Sequence, residues 1–595
     1  NYNTATGTYA LYTNTTGDNN TALGFRSLRS STTAGNNTAV GYDALTNATT
    51  GANNTATGMN SMTANTTGGS NVAVGGSALG ANTTASNNTA VGNDALGANT
   101  TGATNTAVGA ISLDANTTGT DNTAIGHSSL SANTTASNNT AVGKFALNAN
   151  TTGADNTGLG RGALQASTTA SNNTAVGRNA LLGNTTAANN TAVGYAAGTA
   201  VTTGAENTLI GGLAGDALTV GTRNVAVGKG ALTTDVGGGK SVAIGHSALE
   251  NQNIASTATD SNNTGVGYNA GSQITTGTGN TFLGAFAGDA TVDGVNNVAI
   301  GINALGADAV GENVAIGNNA LLACTASNNT AVGTGAGKAV TSGSQNVFAG
   351  TNAGDAVIGG ANHVAVGFNA LSACTSPNGN VAVGQSALFD CTTGAINTAV
   401  GETALENVTT GANNTAVGAS CNEVTTTGNS TTMIGTLARA SGAGLDQEMV
   451  MGYNSVGKGA TTAFINPGTG PVYAGNNATT FSQTSDRRIK KDIIPNNKGL
   501  ESIKQIEPKY FYYKSDEEMQ AELPNAQEGL PLDKQFTSAI AQELKEVFPE
   551  AIEERTENKI MSVNTDPIFW SMVNAIKELS AKNDALEARL TTLEG

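Results

Sequence analysis

Asn105-Thr106-Ala107-Val108-Gly109 is one copy of the stretch on which the fold of this chain turns. Aligned on its glycine, the motif recurs at Gly7, Gly24, Gly41, Gly58, Gly75 and onward to Gly245, always 17 residues apart. After Gly245 the next copy is Gly267, five residues late; Gly284 and Gly301 restore the step, Gly317 and Gly333 follow at 16, and Gly350 to Gly452 return to 17, giving 27 repeats. Self-similarity at a short fixed period marks a solenoid, and this unit is too short for helix-pair repeats of about 33 residues or more. Within a unit the Asn105–Gly109 run is extended and β-branched, Ser112-Leu113 is expected to begin a second short strand, and Asn116-Thr117-Thr118-Gly119 supplies turn chemistry. Stacked at about 4.8 Å per coil, the repeats would form a shaft of roughly 130 Å.

Stacking turns each position of the unit into a column. Asn stands four residues before the key glycine, as at Asn88, Asn105, Asn122 and Asn139, with Ser241, His363, Thr431 and Glu448 as exceptions. Such amides are expected to hydrogen-bond up the stack. Three residues after the glycine the rule is Ala or Ser, so the wall there admits only a small side chain. The next position is usually Leu but is glycine at Gly198, Gly215, Gly271, Gly288, Gly337 and Gly354, which predicts a local change in cross-section. The two positions after the key glycine vary most, with Phe25-Arg26, Tyr42-Asp43, Lys144-Phe145 and Phe368, and read as an exposed corner.

Adjacent strand residues point to opposite faces, yet Ala107 and Val108 are both apolar, as are Ala90 with Val91 and Ala124 with Ile125. A thin coil has one inside, so the second apolar face calls for sister chains around an axis, with three-fold assembly suited to a fibre. The repeats, over about three quarters of the chain, resemble the left-handed parallel β-roll of trimeric autotransporter adhesin heads. Ser241-Val242-Ala243-Ile244-Gly245 and Asn313-Val314-Ala315-Ile316-Gly317 come nearest, although that family's period is slightly shorter.

Composition agrees with an array rather than a set of ordinary cores. Among 595 residues, 78 are Gly, aromatics are 4% and charged residues 12%, against roughly 25% charged in typical domains. The net charge of −17 disfavours a broad nucleic-acid surface, and no run of about 18 apolar residues predicts membrane insertion. Cys324, Cys374, Cys391 and Cys421 form no zinc or redox pair, and His127, His246 and His363 are too scattered for a metal site; no metal or cofactor is expected. Cys374 and Cys391, one period apart, are close enough for a disulfide in a stack, but small buried ladder residues are the expected role. The recurrent Asn-x-Thr triplets read as a structural ladder rather than glycosylation acceptors.

Residues 1–455 are therefore assigned to the shaft, 456–484 to a transition containing Asn466-Pro467-Gly468-Thr469-Gly470-Pro471, and 485–595 to a separate α+β domain. Charge rises there to 15 basic and 21 acidic side chains in 111 residues. Tyr510-Phe511-Tyr512-Tyr513 reads as a strand; Ile540, Leu544 and Val547 mark a short helix ending near Pro549; Asp566-Pro567 is expected to cap a last helix. Along it Phe569, Met572, Ile576, Leu579, Asn583, Leu586, Leu590 and Leu593 make a heptad seam with one Asn, predicting a trimeric coiled coil over 566–594.

Ser485-Asp486-Arg487-Arg488-Ile489-Lys490-Lys491-Asp492-Ile493, the Tyr/Phe strand, Ile540-Ala541-Gln542-Glu543-Leu544 with Phe548-Pro549-Glu550, and the closing helix together resemble the endosialidase-type intramolecular chaperone auto-processing domain. The resemblance implies a domain that trimerises, guides folding of the preceding fibre and then releases itself, with Ser485 as nucleophile and Lys490 as base. A serine hydroxyl needs a base, and Arg487, Arg488 and Lys491 would lower the pKa of a neighbouring lysine. Five residues apart, the two side chains point apart on a straight strand and diverge by about 140° on a helix, so the pair needs a turn or a sister subunit. Cleavage at Thr484-Ser485 or Ser485-Asp486 is thus expected to follow assembly.

These readings lead to a homotrimeric tail fibre of a bacteriophage or phage-like contractile injection particle, located on the virion tail or particle appendage. Its partners would be a host cell-surface receptor, glycan or protein, and baseplate or fibre proteins through a segment preceding Asn1. Self-processing is the one enzymatic activity expected. The rivals are a cell-surface adhesin with the same β-roll and an ice- or crystal-binding solenoid using its Thr rows.

Overall fold

The computed structural model describes residues 2–254, 259–468, 472–474, 482–483, 487, 491–515, 518, 535–554 and 561–595. The chain divides into two compact units, Asn1–Gln483 and Thr484–Gly595.

The first unit is a parallel β-solenoid in which each repeat contributes one three-residue strand. Thr106–Val108 pairs in parallel with Thr123–Ile125, Thr opposite Thr and Ala opposite Ala, and the register is kept coil after coil. The stack runs past the last key glycine to Ala463–Ile465, which pairs in parallel with Met449–Met451. Val472–Ala474 and Ser482–Gln483 then add antiparallel, completing a 30-stranded sheet.

The second strand expected at Ser112-Leu113 is absent. Ile111 and Leu113 have φ of 46° and 52°, so the segment reverses its backbone twist at alternate residues and forms turns instead. It still ties coils together: Ile111 N–H donates back to Asn93 O at 2.9 Å and Leu113 N–H forward to Ser129 O at 2.9 Å. A left-handed Leu costs roughly 1–2 kcal/mol. Full burial of the same side chain returns about as much or more.

At the key glycine the backbone comes nearest to the next coil. Gly126 has φ 132°, and a Cβ there would sit 2.7 Å from the carbonyl of Gly143. Only glycine satisfies both the angle and the approach.

The interior is narrow. Ala107 and Leu113, with their counterparts in other coils, are fully buried. The glycines in the Leu column do not change the cross-section; they exchange volume with the strand. Gly271 and Gly288 flank Phe282, which stands where other strands carry Ala, and a Cβ on Gly271 would lie 2.6 Å from Phe282 Cδ2. Gly337 and Gly354 flank Phe348 in the same way, and Gly198 and Gly215 flank Leu209. Two leucines are given up for one large inward side chain, which keeps the packing density that cores require. Cys421 occupies the Ala/Ser column as another small residue.

Two amide columns line the interior. In the expected one, Asn105 Oδ1 accepts the backbone N–H of Asn122 at 3.0 Å, and Asn105 Nδ2 donates to Gly119 O at 2.9 Å. The second, read from sequence only as turn chemistry, runs through Asn99, Asn116 and Asn133, where the Nδ2 groups of Asn116 and Asn133 donate to the preceding Oδ1 at 2.9 Å. Both columns are buried, where an unpaired amide would cost about 1–3 kcal/mol. Further along, Cys324, Cys374 and Cys391 take positions in the second column as free thiols; burial raises the pKa of Cys324.

Each exception in the first column is repaired. Asn422 and Asn414 hold Thr431 Oγ1, and Glu448 accepts from Ser441 and Gly459. At the five-residue insertion, Gln252 reaches Ser241, Ser261 and Asn263. His363 reproduces an amide: Nδ1 accepts Asn380 N–H at 3.3 Å, and Nε2 lies 2.6 Å from Pro377 O, to which it donates.

In the second unit, Lys509–Phe511 pairs antiparallel with Phe536–Ser538, and Ile552–Glu554 with Met561–Val563. The Tyr/Phe strand is thus shorter than its sequence suggests, ending at Phe511. Helices span Leu500–Ile503, Ala541–Val547 and Asp566–Glu594. Leu544, Phe548 and Ala551 are the buried core, with Ile503, Ile506, Val563 and Ile568 packed on it. Asp566 is not the cap expected of it. It is the first residue of the last helix, and its N–H donates to Asn564 Oδ1 at 3.0 Å.

Two outcomes follow from this packing. Phe282→Ala should destabilise the shaft by about 3–5 kcal/mol, and Gly288→Leu alone should also destabilise it through collision with the ring. Phe282→Ala with Gly271→Leu and Gly288→Leu should recover some of the loss, so denaturant melts would show strong non-additivity. For His363, burial lowers the imidazole pKa, so the unfolded chain binds more protons as pH falls below about 6.5. The rung's contribution is therefore complete above that pH and lost progressively below it. His363→Asn, which makes the same two bonds without titrating, should flatten the pH dependence of hydrogen exchange in coils 346–397.

Candidate functional site

The candidate site is built from the unit's own supports outward. Ser485 and Lys490, the candidate nucleophile and base, lie outside the described residues, as do Asp486, Arg488 and Ile489; Arg487 is exposed. On the upstream side the chain leaves the sheet at Ser482–Gln483, whose residues pair with Tyr473 and Val472. The last strand of the shaft therefore ends two residues before Ser485.

On the downstream side, residues 496–500 are fastened to the last helix. Asn496 Nδ2 donates to Ser571 Oγ at 3.0 Å, and Asn574 Nδ2 donates to Asn496 O at 2.8 Å and Lys498 O at 3.2 Å. The Leu500 N–H donates to Glu578 Oε2 at 2.9 Å. Lys498 turns the other way. Its ammonium donates to Val547 O, pairs with Glu550 at 3.1 Å and lies 4.6 Å from the centroid of buried Phe548. A cation over a ring face gains about 0.5–2 kcal/mol, and here it joins the segment to the helix Ala541–Val547 and the turn after it.

In sequence, Lys490 precedes by six to ten residues a segment anchored on the terminal helix. Sequence reading missed these residues because their partners lie 75–78 positions away. The short polar run Asn496-Asn497-Lys498-Gly499 reads as a loop by itself.

The terminal helix leaves its apolar seam open. Phe569, Ile576, Leu579, Leu586, Leu590 and Leu593 are all more than half exposed, while Ser571 and Ala575 on the adjoining flank are buried. A second apolar stripe belongs to the first unit. In the strand's outward column Val91, Ile125, Leu159, Leu283 and Leu23 are 37–48% exposed, and others such as Val108 and Val142 are partly buried. No helix among the described residues is long and apolar enough to cross a membrane.

Residues 485–553 match the family described as the chaperone of endosialidase. The match begins at Ser485 and takes in the 496–500 side of the clamp, the strand pair Lys509–Phe511 and Phe536–Ser538, and the Leu544–Phe548 core, while the clamp's partners on the last helix lie beyond it. The chain thus carries an intramolecular chaperone of that type behind a β-solenoid.

Asn574→Ala should leave Asn496 O and Lys498 O without their donor at a cost of about 1 kcal/mol. Amide exchange across 496–500 should rise severalfold while that of 106–108 stays as in wild type.

Proposed function

We propose that this chain is the shaft of a trimeric tail fibre of a bacteriophage or phage-like injection particle, folded by its C-terminal chaperone, which then releases itself through Ser485 and Lys490. The observation that carries the reading is the chaperone match starting at Ser485, immediately behind the end of a long solenoid sheet. Two unburied apolar stripes, one on each unit, support self-association. At about 25 cal/mol per Å² of apolar surface, a seam repeated in nearly every coil is a large driving force.

In this mechanism three terminal helices pair through the Phe569–Leu593 seam, with Asn583 fixing register. The clamp at 496–500 transmits that pairing to the segment bearing Lys490. The Ser485 hydroxyl attacks the neighbouring peptide carbonyl as Lys490 takes its proton, an acyl-enzyme forms, the amine leaves protonated, and water releases the acyl group. The fibre would be carried on the particle tail, and its exposed corner would meet the host surface. An ice-binding role is weakened by the Thr117 column, whose hydroxyls donate to the next coil's carbonyl, as Thr117 Oγ1 does to Thr134 O at 3.0 Å.

Intact mass and terminal sequencing provide the test. Wild type should give two fragments meeting beside Ser485, whereas Ser485→Ala and Lys490→Ala stay whole. Leu579→Asp with Leu586→Asp should abolish both the trimer and the cut. Three full-length products would remove autoproteolysis from the proposal.

A further inference from the structure

The corner position directly after the key glycine carries an unexplained run of charge. In four successive coils it is His127, Lys144, Arg161 and Arg178, all exposed, and Tyr195 follows in the next. Their backbones are locked one above another. Gly162 N–H donates to Lys144 O at 3.0 Å, Asn179 N–H to Arg161 O at 3.0 Å, and Ala196 N–H to Arg178 O at 2.9 Å. Three cations therefore stand one coil step apart, about 4.8 Å.

The fold gives no reason for this. Only 11 basic residues precede residue 485 in a chain of net charge −17, and three of them are stacked here. Among the described residues three of the shaft's eight other cations meet carboxylates, Arg26 with Asp43, Arg223 with Glu206 at 2.9 Å and Lys240 with Asp260 at 2.6 Å, and the remaining five are scattered rather than stacked in adjacent coils. Among the described residues Lys144, Arg161 and Arg178 make no ion pair; two of them lie over rings instead, Lys144 at 4.8 Å from Phe145 and Arg178 at 5.9 Å from Tyr195. Neighbouring like charges at such a spacing repel by roughly 1 kcal/mol even in water. An anionic partner running along the column would add an attraction to each cation that offsets this repulsion.

We infer that the column Lys144–Arg161–Arg178, with Phe145 and Tyr195 beside it, binds a linear anionic polysaccharide aligned with the shaft. The coil step is close to the length of one pyranose unit, so successive acidic sugars can meet successive cations in register. The exposed Tyr195 ring and the Phe145 edge offer flat apolar faces of the kind on which sugar rings stack. A nucleic acid fits less well: duplex phosphates recur about every 3.4 Å along a strand, out of step with a coil repeat of about 4.8 Å. The inference rests on the reading of this corner as the fibre's contact surface and names the chemistry it contacts.

Titration calorimetry on the full chain, with its assembly state measured by light scattering on the same samples, tests this. The probes are oligogalacturonate for carboxylates, a phosphorylated mannan oligosaccharide for phosphates, a neutral maltooligosaccharide, and single-stranded DNA of equal charge. One or both acidic glycans should bind, more weakly as salt rises from about 50 to about 300 mM. The triple variant Lys144→Gln, Arg161→Gln, Arg178→Gln should lose at least tenfold and Tyr195→Ala severalfold, whereas Arg223→Gln should bind as wild type does. Equal binding of the neutral sugar, tighter binding of DNA, or a triple variant as good as wild type overturns the column. A trimer that binds neither acidic glycan overturns it while leaving the fibre reading intact; a monomeric chain undoes that reading first.

Discussion

The shaft depends on how closely one coil can lie on the next. At the key glycine that approach leaves no room for a Cβ, and the same contact fixes the height at which every other column repeats. Once the height is fixed, Asn105 and Asn122 are at hydrogen-bonding distance, Thr117 can reach Thr134 O, and the Leu113 column is buried. A larger residue at Gly126 would push its coil away from the next and leave buried amides of both Asn columns without partners. The steric requirement and the polar one thus enforce a single repeat geometry.

How much of this could be read beforehand follows from which forces act locally. The Asn column was legible because its residues recur at the period of the stack. Of the two corner positions the first is exposed as expected at Tyr42, Lys144 and Phe368, whereas in the second Asp43, Ser128 and Ser247 are buried, which the variability of that position did not announce. The missing second strand was not, since the left-handed turns at Ile111 and Leu113 are imposed by burial and no sequence preference announces a Leu with positive φ. Glycines in the Leu column were visible, but their meaning lay 6–11 residues away, at Phe282 and Phe348. In the C-terminal unit the helix Ala541–Val547 followed from its apolar spacing, while the clamp between Asn496 and Asn574 joins chain segments that no local pattern connects. The candidate dyad was legible only through resemblance, and its geometry lies in residues the structure does not describe.

The repeats also raise a problem of alignment, and the proposed chaperone answers it. In a trimer built on the outward strand face, sliding one chain by a single coil would set Val91 where Val108 had been and Ala90 where Ala107 had been. Almost every contact would survive, and only the ends would lose partners. Such near-degenerate registers are what periodic strands invite. They are also separated by barriers, because correcting a slip means peeling many coils from their neighbours.

Irregular coils break the degeneracy only weakly. The five-residue insertion, the two 16-residue steps, and the bulky strands at Phe282 and Phe348 each mark a height, but a growing stack meets them only after many coils have formed. A unit at the C-terminal end that brings three chains together first would set the height of the Ala463–Ile465 strands before any coil above them pairs. Growth from that end is then in register from its first contact, each added coil being held by short-range bonds to the one before it. Register, once propagated along the sheet, no longer needs the device that set it. The bond beside Ser485 follows the antiparallel strand Ser482–Gln483, so a cut there would leave the strands that close the shaft on the shaft side.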